Sequence, residues 1–228
     1  MTRSENRVWQ KEECLPRPEL EALQVSRLAR LVDRVSTVPF YRTRFEADGI
    51  SSASIRTLDD LRRLPFTTKD DLRQHYPLGF LAVPDTEVVR YHGSSGTTGK
   101  PTFVAYTRAD LEMWSDLCAR FLVAGGLRPG QIAQIAFGYG LFTGGFGLHY
   151  GVERVGAAVL PASSGNTERQ IMLMQEMHTN VLICTPSYAV HLAEVMADNH
   201  IDRRTIALSS AHLGGEPWTE DMRLHIEA

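Results

Sequence analysis

A chain of 228 residues with 43% hydrophobic and 22% charged side chains has enough apolar surface to enclose a core, which excludes a disordered tail or a fibrous repeat. Its 24 Lys and Arg against 27 Asp and Glu give a net charge of −3, so no broad basic field exists to hold nucleic acid or an anionic membrane. The polar start, MTRSENRVWQKEE, lacks the apolar run of a secretory signal, and no uninterrupted apolar stretch approaches the ~20 residues of a membrane span. Three scattered cysteines, Cys14, Cys118 and Cys184, make neither a disulfide framework nor a paired-cysteine zinc site. The expectation is a soluble, cytoplasmic, mostly α/β protein, compatible with a homodimer.

Glycine divides the chain. Only Gly49 and Gly79 precede residue 90, where charge is dense, and the other 16 of 18 glycines follow. Charged, glycine-poor sequence suits surface helices; glycine-rich sequence suits tight turns and close approach of backbone to a ligand. Residues 1–85 are therefore expected to be a helical lead-in and residues 86–228 an α/β region. In the lead-in, Leu20, Leu23, Leu28, Leu31 and Val35 recur at helical spacing up to Val38-Pro39. Thr57 opens a second helix stopped by Pro65. Thr68, with Asp71 three residues on, caps a third before Pro77.

From Glu87 the pattern alternates. Glu87–Tyr91 and Phe103–Tyr106 are predicted strands flanking a glycine loop, and Thr107 with Asp110 opens a helix with Leu111, Trp114, Leu117, Cys118, Phe121 and Leu122 on one face. Strands are predicted over 131–137, 157–160, 181–184 and 206–213, with helices over 167–177 and 187–197 and another following the glycines of 138–147. Repeated βα units imply a largely parallel sheet, with ligands gathered beyond the carboxyl ends of its strands.

The stretch from His92 to Pro101, HGSSGTTGKP, carries the densest chemistry. Its three glycines let the backbone wrap an anion, its hydroxyls and N–H groups donate hydrogen bonds, and Lys100 adds positive charge. That set fits a polyphosphate. It is not a P-loop of the GxxxxGK[ST] kind, since Ser94 stands where the first glycine belongs and Pro101 where the magnesium-binding hydroxyl belongs. A hydroxyl-rich hairpin with a solvated lysine would explain one or two of these residues but not the run. A serine hydrolase is the rival enzyme reading, but no G-x-S-x-G elbow is present.

SSGTTGKP resembles the phosphate loop of the adenylate-forming enzymes. Within them, FGYGLFTGG (137–145), PASSGNTERQ (161–170), TPSY (185–188), GEPW (215–218), VPFY (38–41) and LPFTTKDD (64–71) look like the phenylacetate–CoA ligase family, from about residue 20 onward. The resemblance implies part of the large N-terminal domain of such an enzyme. It also implies the reaction: an aryl-acetic carboxylate attacks the α-phosphate of ATP, releasing pyrophosphate, and the thiol of coenzyme A then displaces AMP. By the same resemblance Ser94, Ser95, Gly96, Thr97, Thr98, Gly99 and Lys100 hold the phosphates, with Thr97 and Lys100 in catalytic roles and magnesium (Mg2+) as the phosphates' counterion. Phe137, Tyr139 and Phe142 line the aryl pocket, although each taken alone is as well read as a core aromatic. Gly214, Gly215, Glu216 and Pro217 border the adenine, with Pro217 also expected at a first helical position. No protein metal ligands are expected. The family continues well past residue 228, so an N-terminal fragment, inactive by itself, is expected, with a non-catalytic nucleotide-binding remnant as the alternative.

Overall fold

The computed structural model of the chain describes residues 7–94 and 100–227. The described residues fall into two compact units, one within 10–109 and one of 7–9 with 110–227, so the two-stranded hairpin groups with the helical segment that precedes it.

In the first unit, helix α1 (Arg17–Val35) carries proline in its first turn, where the missing N–H costs nothing. Helix α2 (Pro39–Ala47) starts on Pro39 itself, so Val38-Pro39 both ends one helix and begins the next. Val32, Phe45, Ile50 and Ile55 are buried together as this unit's core, with Val25, Leu28 and Tyr41 packed against them. The turn predicted after Thr57 is a 3-10 helix, Leu58–Arg63, rather than an α-helix. Six residues between Thr57 and the Leu64-Pro65 stop leave no room for more. Helix α3 (Lys69–Gln74) has the expected capping box: the Thr68 hydroxyl accepts from the Asp71 N–H at 3.2 Å, and Asp71 Oδ2 accepts from the Thr68 N–H at 2.8 Å. Strands β1 (Val88–Gly93) and β2 (Phe103–Thr107) pair antiparallel, with Gly93 opposite Phe103.

In the second unit, α4 (Arg108–Ala124), β3 (Ile132–Ile135), α5 (Gly144–Val155), β4 (Ala158–Leu160), α6 (Thr167–Glu176), β5 (Val181–Cys184), α7 (Pro186–Asp198), β6 (Ser210–Leu213) and α8 (Glu220–Glu227) follow in turn. The four strands form one parallel sheet in the order β4-β3-β5-β6. Strand β5 is buried along its whole length, and its side chains alternate between two cores. Val181 and Ile183 meet Leu122 and Val123 of α4 and Val152 of α5; Leu182 and Cys184 meet Ile171 and Met174 of α6 and Leu192 of α7. The unbroken apolar run VLIC is what a strand covered on both faces requires.

Two glycines of the glycine-rich half serve helix packing. A Cβ on Gly147 would lie 2.5 Å from the Trp114 ring, and one on Gly151 would lie 2.6 Å from Cys118 Cβ. One helical turn apart on α5, they let α4 seat directly on its backbone. The strand expected over 206–213 is confined to its last four residues, Ser210–Leu213, where pairing with β5 begins at Val181 opposite Ser210. Pro217 does not open α8: the Thr219 hydroxyl accepts from the Met222 N–H at 3.2 Å and so caps that helix. Among the described residues, no helix is long and apolar enough to cross a membrane.

Candidate functional site

Strand β3 has β4 on one side and β5 on the other, so the chain leaves β3 in one direction and returns in the other. A crevice opens at such a switch point, beyond the carboxyl ends of the strands. It holds a cavity of about 360 Å³. Ala136, Phe137 and Gly138 enter it directly after β3, Ser164 and Gly165 from the loop after β4, and Thr185, Ser187, Tyr188 and His191 from the end of β5 and the start of α7. Phe137 and Tyr188 supply aromatic surface and three hydroxyls supply polar edges. That mixture suits a small, flat, partly apolar ligand held at one end by hydrogen bonds.

The first turn of α7 is held from two sides. The Thr185 hydroxyl accepts from the Tyr188 N–H at 3.3 Å, and Glu216 Oε1 accepts from the Ser187 N–H at 2.7 Å. Hydrogen bonds from the Ser187 hydroxyl and backbone hold the Glu216 carboxyl below the usual glutamate range. Gly215 adopts φ +87°, and a Cβ there would sit 3.3 Å from Phe137 Cε1. The segment after β6 thus backs the aromatic wall, bringing Gly215, Glu216, Ser187 and Phe137 into one neighbourhood. Gly214 is tied to β5 through its N–H, which donates to the Cys184 carbonyl at 3.2 Å.

The three aromatics named from sequence part company. Phe137 lines the cavity. Tyr139 lies partly buried against the core beneath α5, its ring edge on Phe146 and its hydroxyl 3.3 Å from His149 Nδ1. Burial, reinforced by Glu153, pushes its phenol up to about 12, so it stays protonated. Phe142 sits in the turn ahead of α5 with 52% of its surface exposed. His191 and Tyr188, by contrast, went unassigned in the sequence. Their signal was positional: both fall in the first two turns of a helix that follows a buried strand.

The hydroxyl-rich stretch is the connection of the β1–β2 hairpin. Ser94 closes its neck: its N–H donates to the Thr102 carbonyl at 3.0 Å, and its Oγ accepts from the Thr102 N–H at 2.9 Å. Ser95, Gly96, Thr97, Thr98 and Gly99 lie outside the described residues. Lys100 Nζ stands 5.1 Å from the centroid of the Tyr76 ring, a cation–π approach that parks the charge beside the loop. Leu72, Arg73, Tyr76, Lys100, Pro101 and Thr102 enclose about 270 Å³ there. This lining contains no carboxylate, and among the described residues no three His, Cys, Asp or Glu side chains gather as a metal site.

No family model matches the chain. Over 216 residues it is 51% identical to a phenylacetate-coenzyme A ligase of Thermus thermophilus, covering 94% of this chain and 48% of that protein. It is 46% identical over 212 residues to the phenylacetate-coenzyme A ligase of Escherichia coli (strain K12), covering 92% and 48%. Over nearly all of its length the chain is thus similar to phenylacetate–CoA ligases. It spans about half the length of the curated relatives it matches. Among solved structures, 2-hydroxyisobutyryl-CoA ligase in complex with 2-HIB-AMP and CoA, in the thioesterification state, matches all of this chain and 50% of its own at TM-score 0.91 and 30% identity. The same ligase in the postadenylation state with 2-HIB-AMP matches at 0.89 and 29%. The parallel sheet and the helices around it are thus those of an adenylate-forming CoA ligase.

Proposed function

We propose that this chain carries the acid-binding and phosphate-binding parts of an AMP-forming ligase that converts an aryl-acetic acid, with ATP and coenzyme A, to its CoA thioester. The observation that carries the reading is the cavity at the sheet's switch point, walled by Phe137 and Tyr188 and edged by hydroxyls, in a chain 51% identical to a phenylacetate-coenzyme A ligase. In the first step a carboxylate oxygen bonds to the α-phosphorus of ATP and pyrophosphate leaves. In the second the CoA sulfur bonds to the acyl carbon, AMP leaves with the C–O bond's electrons, and the thiol proton passes to solvent.

Phe137 and Tyr188 orient the ring, and the Ser164, Thr185 and Ser187 hydroxyls offer donors to oxygen. Gly214, Gly215, Glu216 and Pro217 border the adenine, with Glu216 holding the turn at Ser187. Ser94 and its partner Thr102 close the phosphate loop at its base, and Lys100, released from Tyr76, meets the β- and γ-phosphates. Magnesium accompanies ATP, but the described residues beside Lys100 offer no carboxylate to hold it.

The two binding regions are separable by ligand. An acyl-adenylate has no β- or γ-phosphate, so Lys100→Ala should weaken ATP binding by about 1.5–3 kcal/mol, the range for a charged hydrogen bond. It should leave a non-hydrolysable phenylacetyl-adenylate analogue bound as before. Phe137→Ala should do the reverse. Isothermal titration of both ligands into both variants decides it. Losses that fall equally on the two ligands would sink the assignment.

A further inference from the structure

The sheet face toward α6 is apolar except at one point. Gln134, in β3, is fully buried, and Gln170, on α6, is 1% exposed. Gln134 Nε2 donates to Gln170 Oε1 at 2.6 Å and to the Gln170 carbonyl at 3.1 Å, while Gln134 Oε1 accepts from the buried Thr179 hydroxyl at 3.3 Å. Gln170 Nε2 then donates to the carbonyls of Ser163, at 2.6 Å, and Gly165, at 3.3 Å. Every polar side-chain atom of both amides has a partner, and the relay ends on the loop between β4 and α6.

That loop supplies Ser164 and Gly165 to the cavity wall. Ser163, Gly165 and Asn166 within it hold φ values of +64°, +80° and +51°, and the serine and asparagine adopt this region only when held there. One anchor is the Ser163 N–H, which donates to the Ile135 carbonyl at 3.0 Å. At the α6 end the Asn166 Oδ1 accepts from the Arg169 N–H at 3.3 Å, and between the two the Gln170 side chain holds the Ser163 and Gly165 carbonyls. An apolar pair of equal volume would fill the core without the cost of burying two amides, but it could not grip two carbonyls.

We propose that Gln170, oriented by Gln134, is a positioning residue that sets the Ser164–Gly165 wall and so the size of ring the cavity accepts. The inference rests on the cavity being the acid site. Gln170→Met removes both donors at nearly constant volume, Gln134→Met removes the orienting bond, and Met174→Ala, one turn along α6 and equally buried, is the packing control.

Two readouts are taken beside the thermal midpoint: amide hydrogen exchange at residues 163–166, and the affinity for phenylacetate against a para-substituted phenylacetate. Gln170→Met should speed exchange in the loop by about tenfold or more and shift preference toward the bulkier acid. Gln134→Met should do the same more weakly, and it answers the question if Gln170→Met does not fold. Met174→Ala should lower the midpoint with neither change. Unaltered loop exchange in the glutamine variants, or equal change in Met174→Ala, overturns the proposal. A wild-type chain that binds no aryl acid would refute the acid reading, while the exchange comparison would still decide what holds the loop.

Discussion

Gly215 shows how much can rest on one missing carbon. Its φ of +87° is disfavoured for any side chain, and the space a Cβ would take lies 3.3 Å from Phe137 Cε1 and 3.7 Å from Thr185 Cγ2. Gly215→Ala should therefore cost about 1–2 kcal/mol in left-handed backbone strain and displace the aromatic wall, read as a lower denaturant midpoint together with weaker phenylacetate binding. A stable variant with unchanged binding would show that the turn relaxes without touching the site. Phe137 was named in the sequence by resemblance, since the residues alone read it equally well as a core aromatic; in the structure it follows β3 and lines the cavity. For Tyr139 and Phe142 the glycine-rich turn erases the periodicity that would say which way each ring faces. The side chains of the Gln134–Gln170 relay were invisible for a different reason: a buried amide looks like a surface one until its partners, 36 residues apart, are known.

At the scale of elements, the local signals read true where a cap or a proline enforced them. Thr68 and Asp71 form the expected box, and β5 is the four-residue run seen in sequence. Thr57 also has its reciprocal partner, Asp60, although the turn it opens is 3-10. Asp60 Oδ2 accepts from the backbone N–H groups of Arg56 and Thr57, each at 2.9 Å. These bonds, Arg56 first, lower its carboxyl from 3.8 to about 2. A carboxyl depressed in the folded state adds stability above its unfolded pKa and loses it as pH falls through the folded one. The contribution of this turn should hold above pH 3.8 and fade between 3.8 and about 2. Asp60→Asn should flatten that part of the acid-unfolding curve, and a curve superimposable on the wild type's would remove Asp60 from the account. The packing role of Gly147 and Gly151 in α5 was not legible in sequence, because helix-to-helix contact and ligand contact both ask for a bare backbone, and only the facing Trp114 and Cys118 tell them apart.

For the whole molecule, position outweighs size in choosing a site. The helical unit contains a larger cleft, about 750 Å³, between α1 and the Leu58–Arg63 turn, lined by Arg17, Glu21, Val25, Ala29, Ile55 and Asp59 among others. Its rim holds the exposed Arg17–Glu21 ion pair at 2.6 Å, and it stands at no strand end. The smaller cavity lies where a parallel sheet reverses its strand order, with residues from the ends of three strands converging on it. That location was foreseeable once βα units were recognised, because the rule depends on topology alone. In the proposed function this cavity takes the aryl acid. The most direct test is a titration of the isotopically labelled chain with phenylacetate, followed residue by residue in amide NMR spectra. The shifts should concentrate on Phe137, Gly138, Ser164, Gly165 and Tyr188. Shifts gathered instead along Val25, Ala29 and Ile55, or none at any residue, would contradict it.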